Sequence, residues 1–281
     1  MRIATWNVNS VVARLPRLHE WLESAQPDVL CLQETKCAGD AFPADGVIER
    51  GYQVAAHGDG RWNGVAILSR VGLADVTRGF PGQPGYAPPP PAPPDGEDVL
   101  LPVAPSAPVV EARAIGATCG GVRIWSLYVP NGRALDSPHY AYKLEWLAAL
   151  RSALEAELTA VGDLPFLVVG DFNIAPTDDD VFDPAFFVGS THVTEAERQA
   201  LRALLELGFR DIIPRPLKYD RPFTYWDYRA GMFPKNQGMR IDLVLANERA
   251  AARITDAYVD REARKGKGPS DHAPVVVDLD L

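Results

Sequence analysis

The sequence predicts an α/β layered sandwich, and two observations carry that expectation. Short runs that are apolar on both faces recur along the chain, as strands buried between layers require. Helical patterns with a single apolar face lie between several of them, suited to covering such sheets from outside. With 47% hydrophobic and 23% charged residues over 281 positions, there is apolar surface enough for a sizeable core, which excludes a disordered chain.

The first predicted strand covers residues 2–6, and a helix follows with Ser10 as a possible cap and Leu15, Leu18 and Leu22 on one face. Strands are expected at 29–32 and 65–68. Between Phe80 and Val110 the composition changes: 11 of the 25 prolines fall there, including Pro88 to Pro91. Such a segment favours extended conformation and has too little apolar content to pack alone, so it reads as a linker or a surface insertion. A linker would leave complete chemistry on each side of it. Beyond it come a strand at 122–129, a helix at 142–158 carrying Leu144, Leu147, Leu150, Leu154 and Leu158, and a strand at 166–169. Thr194 and Glu197 form a capping box before Leu201, Leu204 and Leu205. The last strands are expected at 241–245 and 275–279.

No apolar run approaches the 18 or so residues of a membrane span, and no export signal opens the chain, so a cytoplasmic protein is expected. Cys31, Cys37 and Cys119 include no C-x-x-C pair, which argues against a disulfide framework or a cysteine zinc site and predicts reduced, buried thiols. The net charge of −9 opposes a phosphate-rich partner. The charge is uneven, however. Residues 210–267 hold 13 Lys and Arg against 8 Asp and Glu, so a polyanion has one favourable region.

Several predicted strands end in carboxylates and amides: Trp6-Asn7-Val8-Asn9, Gln33-Glu34-Thr35-Lys36, Gly170-Asp171-Phe172-Asn173, and Ser270-Asp271-His272 before the last strand. A single Asp-x-Asn is an ordinary turn signal, but four such ends fit a ligand site beyond strand ends. Glu34, Asn7 and Asp271 offer hard oxygen ligands without convergent histidines, the set for magnesium or manganese rather than zinc. In an extended chain Asp171 and Asn173 share one side, where Asp171 can orient or deprotonate a water and Asn173 can donate to an oxyanion. His272 and Asp271 are adjacent and point apart, so the partner of His272 is expected to be Asp242, an acid opening an apolar strand.

These motifs, together with Tyr128-Val129-Pro130-Asn131-Gly132, Phe223-Thr224-Tyr225-Trp226-Asp227-Tyr228-Arg229 and Arg240-Ile241-Asp242, appear in an order that resembles the exonuclease III family of apurinic/apyrimidinic (AP) endonucleases. The resemblance runs along the whole chain. It implies one domain over residues 1–281, with a proline-rich surface insertion at about 80–110. It also implies a four-layered α/β sandwich, two mixed sheets face to face with helices outside. The implied activity is divalent-metal-dependent hydrolysis of the DNA backbone at abasic sites, with 3′-5′ exonuclease and 3′-blocking-group removal. The expected partner is double-stranded DNA with abasic or 3′-blocked sites, bound by a monomer.

Carried over by position, Glu34 is the main magnesium ligand, with Asn7 and Asp271 near it and manganese as a substitute. Asp171 activates the water, Asn173 holds the phosphate, and His272 paired to Asp242 contacts the scissile phosphate with Tyr128. Asn131 positions the phosphate. Arg133, Lys36 and Arg229 are expected on the DNA, as are Lys143 and the basic 261–267 segment. Tyr225, Trp226, Met239 and Ile241 are expected to form an apolar slot for the abasic sugar, although Met239 stands where family members often place a bulky aromatic. Two alternatives stay open: a phosphatase of the same superfamily, and a catalytically inactive nucleic-acid-binding regulator.

Overall fold

The chain builds two mixed sheets, described here from a computed structural model over residues 1–88 and 107–281. In chain order the strands are β1 (Arg2–Asn7), β2 (Val29–Gln33), β3 (Gln53–His57), β4 (Val65–Ser69), β5 (Ala74–Arg78), β6 (Ala114–Cys119) and β7 (Val122–Tyr128). Then come β8 (Phe166–Asp171), β9 (Arg210–Asp211), β10 (Arg215–Pro216), β11 (Asp242–Ala246), β12 (Ile254–Val259) and β13 (Val275–Leu279). The helices are α1 (Val11–Ala25), α2 (Asp45–Ile48), α3 (Pro138–Val161), α4 (Glu195–Leu205) and α5 (Glu248–Ala251).

One sheet has the order β10, β12, β13, β1, β2, β4, β3, and the other β5, β6, β7, β8, β11, β9. In the first, β1 and β2 run parallel while β13 lies antiparallel to β1. In the second, β7 and β8 are parallel and β11 is antiparallel to β8.

Three buried apolar clusters define four layers. The central one joins the facing sides of both sheets, through Ile3, Val29, Ile67, Ile124, Val169 and Val277 among others. A second packs Trp146, Leu147, Leu150 and Leu154 of α3 and Leu201 and Leu204 of α4 onto the outer face of β7 and β8. A third packs Leu18, Trp21 and Leu22 of α1 onto the outer face of β1 and β2. The expected sandwich of two mixed sheets with helices outside is therefore the observed one. Strands such as β2, β4 and β8 are buried at every position because each face meets another layer.

All seven expected strands are present. The six unread ones, β3, β5, β6, β9, β10 and β12, carry weaker patterns. β5 is largely exposed and β9 and β10 have two residues each. β6 is buried but built of small residues, and Gly116 is required there: a Cβ would stand 2.6 Å from the Trp125 ring. Helix α1 opens at Ser10, whose hydroxyl accepts from Ala13 N, and α4 has the expected box between Thr194 and Glu197.

Residues 89–106, the centre of the proline-rich stretch, lie outside the described residues. Its flanks belong to the fold. Phe80 meets Trp146 edge-on at 5.0 Å, and Tyr86 stacks on His139 at 4.1 Å. Tyr86 and Val109 exchange two backbone hydrogen bonds, so the segment leaves and re-enters at one place. Cys31 and Cys119 are buried free thiols, and Cys37 is partly exposed. Among the described residues no helix is long and apolar enough to cross a membrane.

Candidate active site

Strand direction gathers the polar motifs. β1, β2, β7 and β8 end on one side of the sandwich at Asn7, Gln33, Tyr128 and Asp171, while β11 and β13 start there. Asp171 faces Tyr128 on one neighbouring strand and Asp242 on the other. Beneath them, Gln33 Nε2 donates to Thr5 Oγ1 (2.9 Å) and Ser126 Oγ (3.0 Å), a buried polar tie between the two sheets.

The centre is a histidine between carboxylates. His272 Nδ1 lies 2.8 Å from Asp242 Oδ2, and its Nε2 lies 3.9 Å from Asp171 Oδ2. Burial alone would lower the His272 pKa, but Asp242 and Asp171 outweigh it and raise it to about 10, so the ring is an imidazolium. Asp242 is aligned by Thr224, whose hydroxyl accepts from the backbone N–H of Ile241 and Asp242, both at 3.1 Å. Burial, with the charges of Asp242 and Glu34, pushes the Asp171 carboxyl up to about 7 against the opposing pull of His272. Its Oδ1 accepts from Asn173 N at 2.9 Å and its Oδ2 from Asn7 Nδ2 at the same distance.

One donor atom each from Glu34, Asp171 and His272 lies within 4.8 Å of the others. Burial disfavours the charged form of Glu34, yet Lys36 and the Asn7 amide hold its pKa below the usual value. Lys36 Nζ sits 2.7 Å from Glu34 Oε2 and 2.6 Å from Asn9 Oδ1, and Asn9 Nδ2 in turn donates to Asp271 Oδ1 at 3.0 Å. Asp271 thus joins the rim through Asn9 and lies outside the trio.

Asn7, expected near the metal, turns its amide nitrogen to the acids. Its Nδ2 donates to Glu34 Oε1 (2.8 Å) and Asp171, while its Oδ1 accepts from Asn9 N (3.0 Å). Reversing the amide would set its oxygen against two carboxylates, so Asn7 bridges the acids as a donor.

The site nonetheless fits a hard divalent cation. Glu34, Asp171 and Asp242 are gathered around the cations His272 and Lys36, and Asp242 Oδ1 is buried without a partner.

Tyr128 stands beside these acids with Arg113 over its ring at 4.8 Å. Burial and the neighbouring Glu34 raise its pKa well above the usual value, so it remains a phenol and a hydrogen-bond donor. Asn131 Nδ2 donates to Asn173 Oδ1 at 3.0 Å, and Asn173 Nδ2 donates to Val129 O at 3.0 Å. Asn173 keeps one N–H beyond that bond. Arg133 is exposed next to Asn131, whose Oδ1 accepts from Arg133 N.

Sequence reasoning missed His192. Its Nε2 lies 3.0 Å from Asn173 Oδ1 and 3.2 Å from Asn131 Nδ2, and burial lowers its pKa to about 4, leaving it neutral. It belongs to no strand-end motif, and a backbone φ of 82° brings it in. Asn9 was legible in the Trp6-Asn7-Val8-Asn9 motif but had no assigned role.

Other expectations are corrected. Trp226 is not in the slot: it is 1% exposed in a separate cluster with Phe223, Val259 and Ala273. Met239 and Ile241 do pack together, with Ala175 and Val181 and against Tyr225, and both are buried. Tyr225 lies 4.9 Å from the His272 ring.

Lys143 is wholly buried against Glu197 and cannot touch DNA. Arg261 and Arg264 are buried against Tyr219, Tyr228 and Phe233, and donate to the carbonyls of Phe233 and Trp226. Arg229 is exposed and paired with Asp227. The basic stretch at 210–267 is thus largely spent on internal pairs and aromatic faces, because several of its cations are closer to aromatics and acids than to solvent.

A metal-adapted cluster of buried acids around an Asp-paired histidine, at strand ends of a two-sheet sandwich, defines a phosphoester hydrolase. Residues 4–272 match the Endonuclease/Exonuclease/phosphatase family, and the chain belongs to it. It is 30% identical to "Exodeoxyribonuclease III" of Haemophilus influenzae over 98% of each chain. Among solved structures it resembles a "3′-5′ exonuclease (NExo)" from Neisseria meningitidis, with TM-score 0.86, 39% identity and both chains fully covered. It resembles an AP endonuclease from Archaeoglobus fulgidus with TM-score 0.85 and 34% identity, again over both whole chains. The chain is a nuclease that hydrolyses phosphodiester bonds, of the kind that repairs DNA, in a family that depends on a divalent metal.

Proposed function

We propose that the chain is a magnesium-dependent DNA-repair nuclease acting as a monomer on abasic and 3′-blocked duplex DNA, with manganese as a substitute ion. The observation that carries the reading is the His272–Asp242 pair at 2.8 Å set across from Asp171 and Glu34. Asp171, with its carboxyl near 7, takes a proton from water at neutral pH. The water oxygen bonds to phosphorus as the bond to the leaving sugar oxygen breaks. The His272 imidazolium and the Tyr128 phenol donate to the phosphoryl oxygens, where negative charge grows. Asn131 and Asn173 hold the phosphate, and Arg133 meets the adjoining backbone. Glu34 and Asp271 would hold the ion, with Asn9 beside them, and Lys36 would yield Glu34 to it. Bound there, the ion would supply positive charge to the reacting phosphate.

A second reading gives 3′ termini priority over abasic incision. The burial of Met239 and Ile241 favours it, because an abasic sugar needs a place to enter. A related Neisseria structure at 38% identity is described as a 3′ phosphatase bound to product DNA hairpin. The test compares magnesium-dependent cleavage of an abasic duplex, a 3′-phosphate primer and an intact blunt duplex. Cleavage of the first supports AP incision, and cleavage of only the second and third supports 3′ processing. Inactivity on all three, in folded protein with metal, overturns both.

A further inference from the structure

The three segments that bring Asn131, Asn173 and His192 together are joined behind the site by one buried ion pair. Lys143, on α3, and Glu197, in the first turn of α4, have fully buried side chains in contact with each other. Lys143 Nζ donates to the backbone carbonyls of Asn173 (2.7 Å) and Asn131 (3.3 Å). Glu197 Oε1 accepts from His192 N (2.9 Å) and Thr191 Oγ1 (2.6 Å), and its Oε2 accepts from Thr194 N and Oγ1. Each residue of the amide and imidazole triad is thus held twice: by its side chain on the site face and by its main chain on the ion pair. Asn173 and His192 also have positive φ, at 51° and 82°, a less populated backbone region for residues other than glycine.

A buried ion pair is a poor source of stability, since desolvation offsets most of the attraction and apolar residues of like volume often do as well. What an apolar pair lacks is direction: it cannot fix the carbonyls of two loops 42 residues apart at one point. We propose that Lys143 and Glu197 are positioning residues for phosphoryl transfer, setting the spacing of the Asn131 and Asn173 amides without touching DNA. The inference rests on the reading of those amides as phosphate holders.

The test is a set of thermodynamic cycles in single-turnover cleavage of a 3′-phosphate primer, with thermal melts and circular dichroism on each variant. Lys143→Met and the charge-free pair Lys143→Met/Glu197→Gln are measured in the wild-type background and with Asn131→Ala/Asn173→Ala. The expected loss is about 10- to 100-fold in the maximal rate of bound substrate, as for misplaced reacting groups. That loss should shrink to under about threefold when the amides are absent. The magnesium concentration for half-maximal rate should not move, because Glu34 and Asp271 are tied elsewhere. A folded variant with full rate, or an equal loss in both backgrounds, overturns the inference, as does failure of both Lys143 variants to fold. Should Asn131→Ala/Asn173→Ala itself cleave normally, the phosphate-holding role is what fails, and the positioning role falls with it.

Discussion

At the scale of single residues, the proposed mechanism gives proton transfer and charge stabilisation to different groups. Asp171 and His272 lie 3.9 Å apart at their nearest oxygen and nitrogen yet are pushed in different chemical directions. Burial and like charges raise Asp171 to about 7, and Asp242 with Asp171 keeps His272 protonated up to about 10. Asp171→Asn removes the base and one negative charge with little change of shape. Turnover should fall by about 10²- to 10⁴-fold, while the affinity for an uncleavable duplex stays level or rises. His272→Asn loses a cation, so its turnover should fall without any gain in affinity. Fluorescence binding beside single-turnover cleavage reads both, and weaker binding with a normal rate in Asp171→Asn would remove it as the base. The base works deprotonated, so the rate should fall as pH drops below about 7. Added positive charge favours the carboxylate, so raising magnesium should move that acid limb to lower pH. An acid limb indifferent to magnesium would separate Asp171 from the ion.

At the scale of elements, the seven strands read from the sequence are those buried on both faces, where apolar runs are continuous. Those missed were the edge strands β3, β5, β9 and β10, the half-exposed β12 beside the two-residue β10, and β6, a strand of small residues whose packing partners are remote. The proline-rich stretch has flanks that close on each other through Tyr86 and Val109 and contains none of the motif residues. We propose it is a surface insertion of one domain with no catalytic part. Replacing residues 89–106 by a short Gly/Ser connector, with Tyr86 and Val109 kept, should leave the single-turnover rate within about threefold, since long surface loops change closure entropy only slowly. A folded deletion without activity would give the stretch a share in the site. The two arginines of the basic run at 261–267 mark the opposite error. Its local charge suggested DNA contact, but Arg261 and Arg264 brace aromatic side chains of the 219–233 segment.

At the scale of the whole molecule, the sandwich concentrates carboxylates at one end and balances them incompletely. An ion that binds only the folded chain adds about 2.7 kcal/mol at a hundredfold excess over its Kd. A melting temperature a few degrees higher in magnesium than in chelator should follow. Glu34→Gln removes a charged oxygen ligand, so it should abolish that magnesium shift and lower cleavage by orders of magnitude. Normal magnesium-dependent turnover in that variant would take Glu34 out of the site. The net charge of −9 sets the wider field, against which Arg133, Lys265 and Lys267 stand exposed.

The sequence by itself determined the layered class, the acid and amide residues at strand ends, and the pairing of His272 with Asp242. These follow from local rules: apolar runs make buried strands, alternation assigns sides, and a buried acid needs a partner. Tertiary structure decided what each polar atom is free to do. It turned Asn7 into a donor between two acids, sent Trp226 into a separate core, placed Lys143 beneath the site, and brought in His192 from outside every motif. The reason is physical: the availability of a lone pair or a charge depends on which distant segment reaches it first, and no local pattern records that.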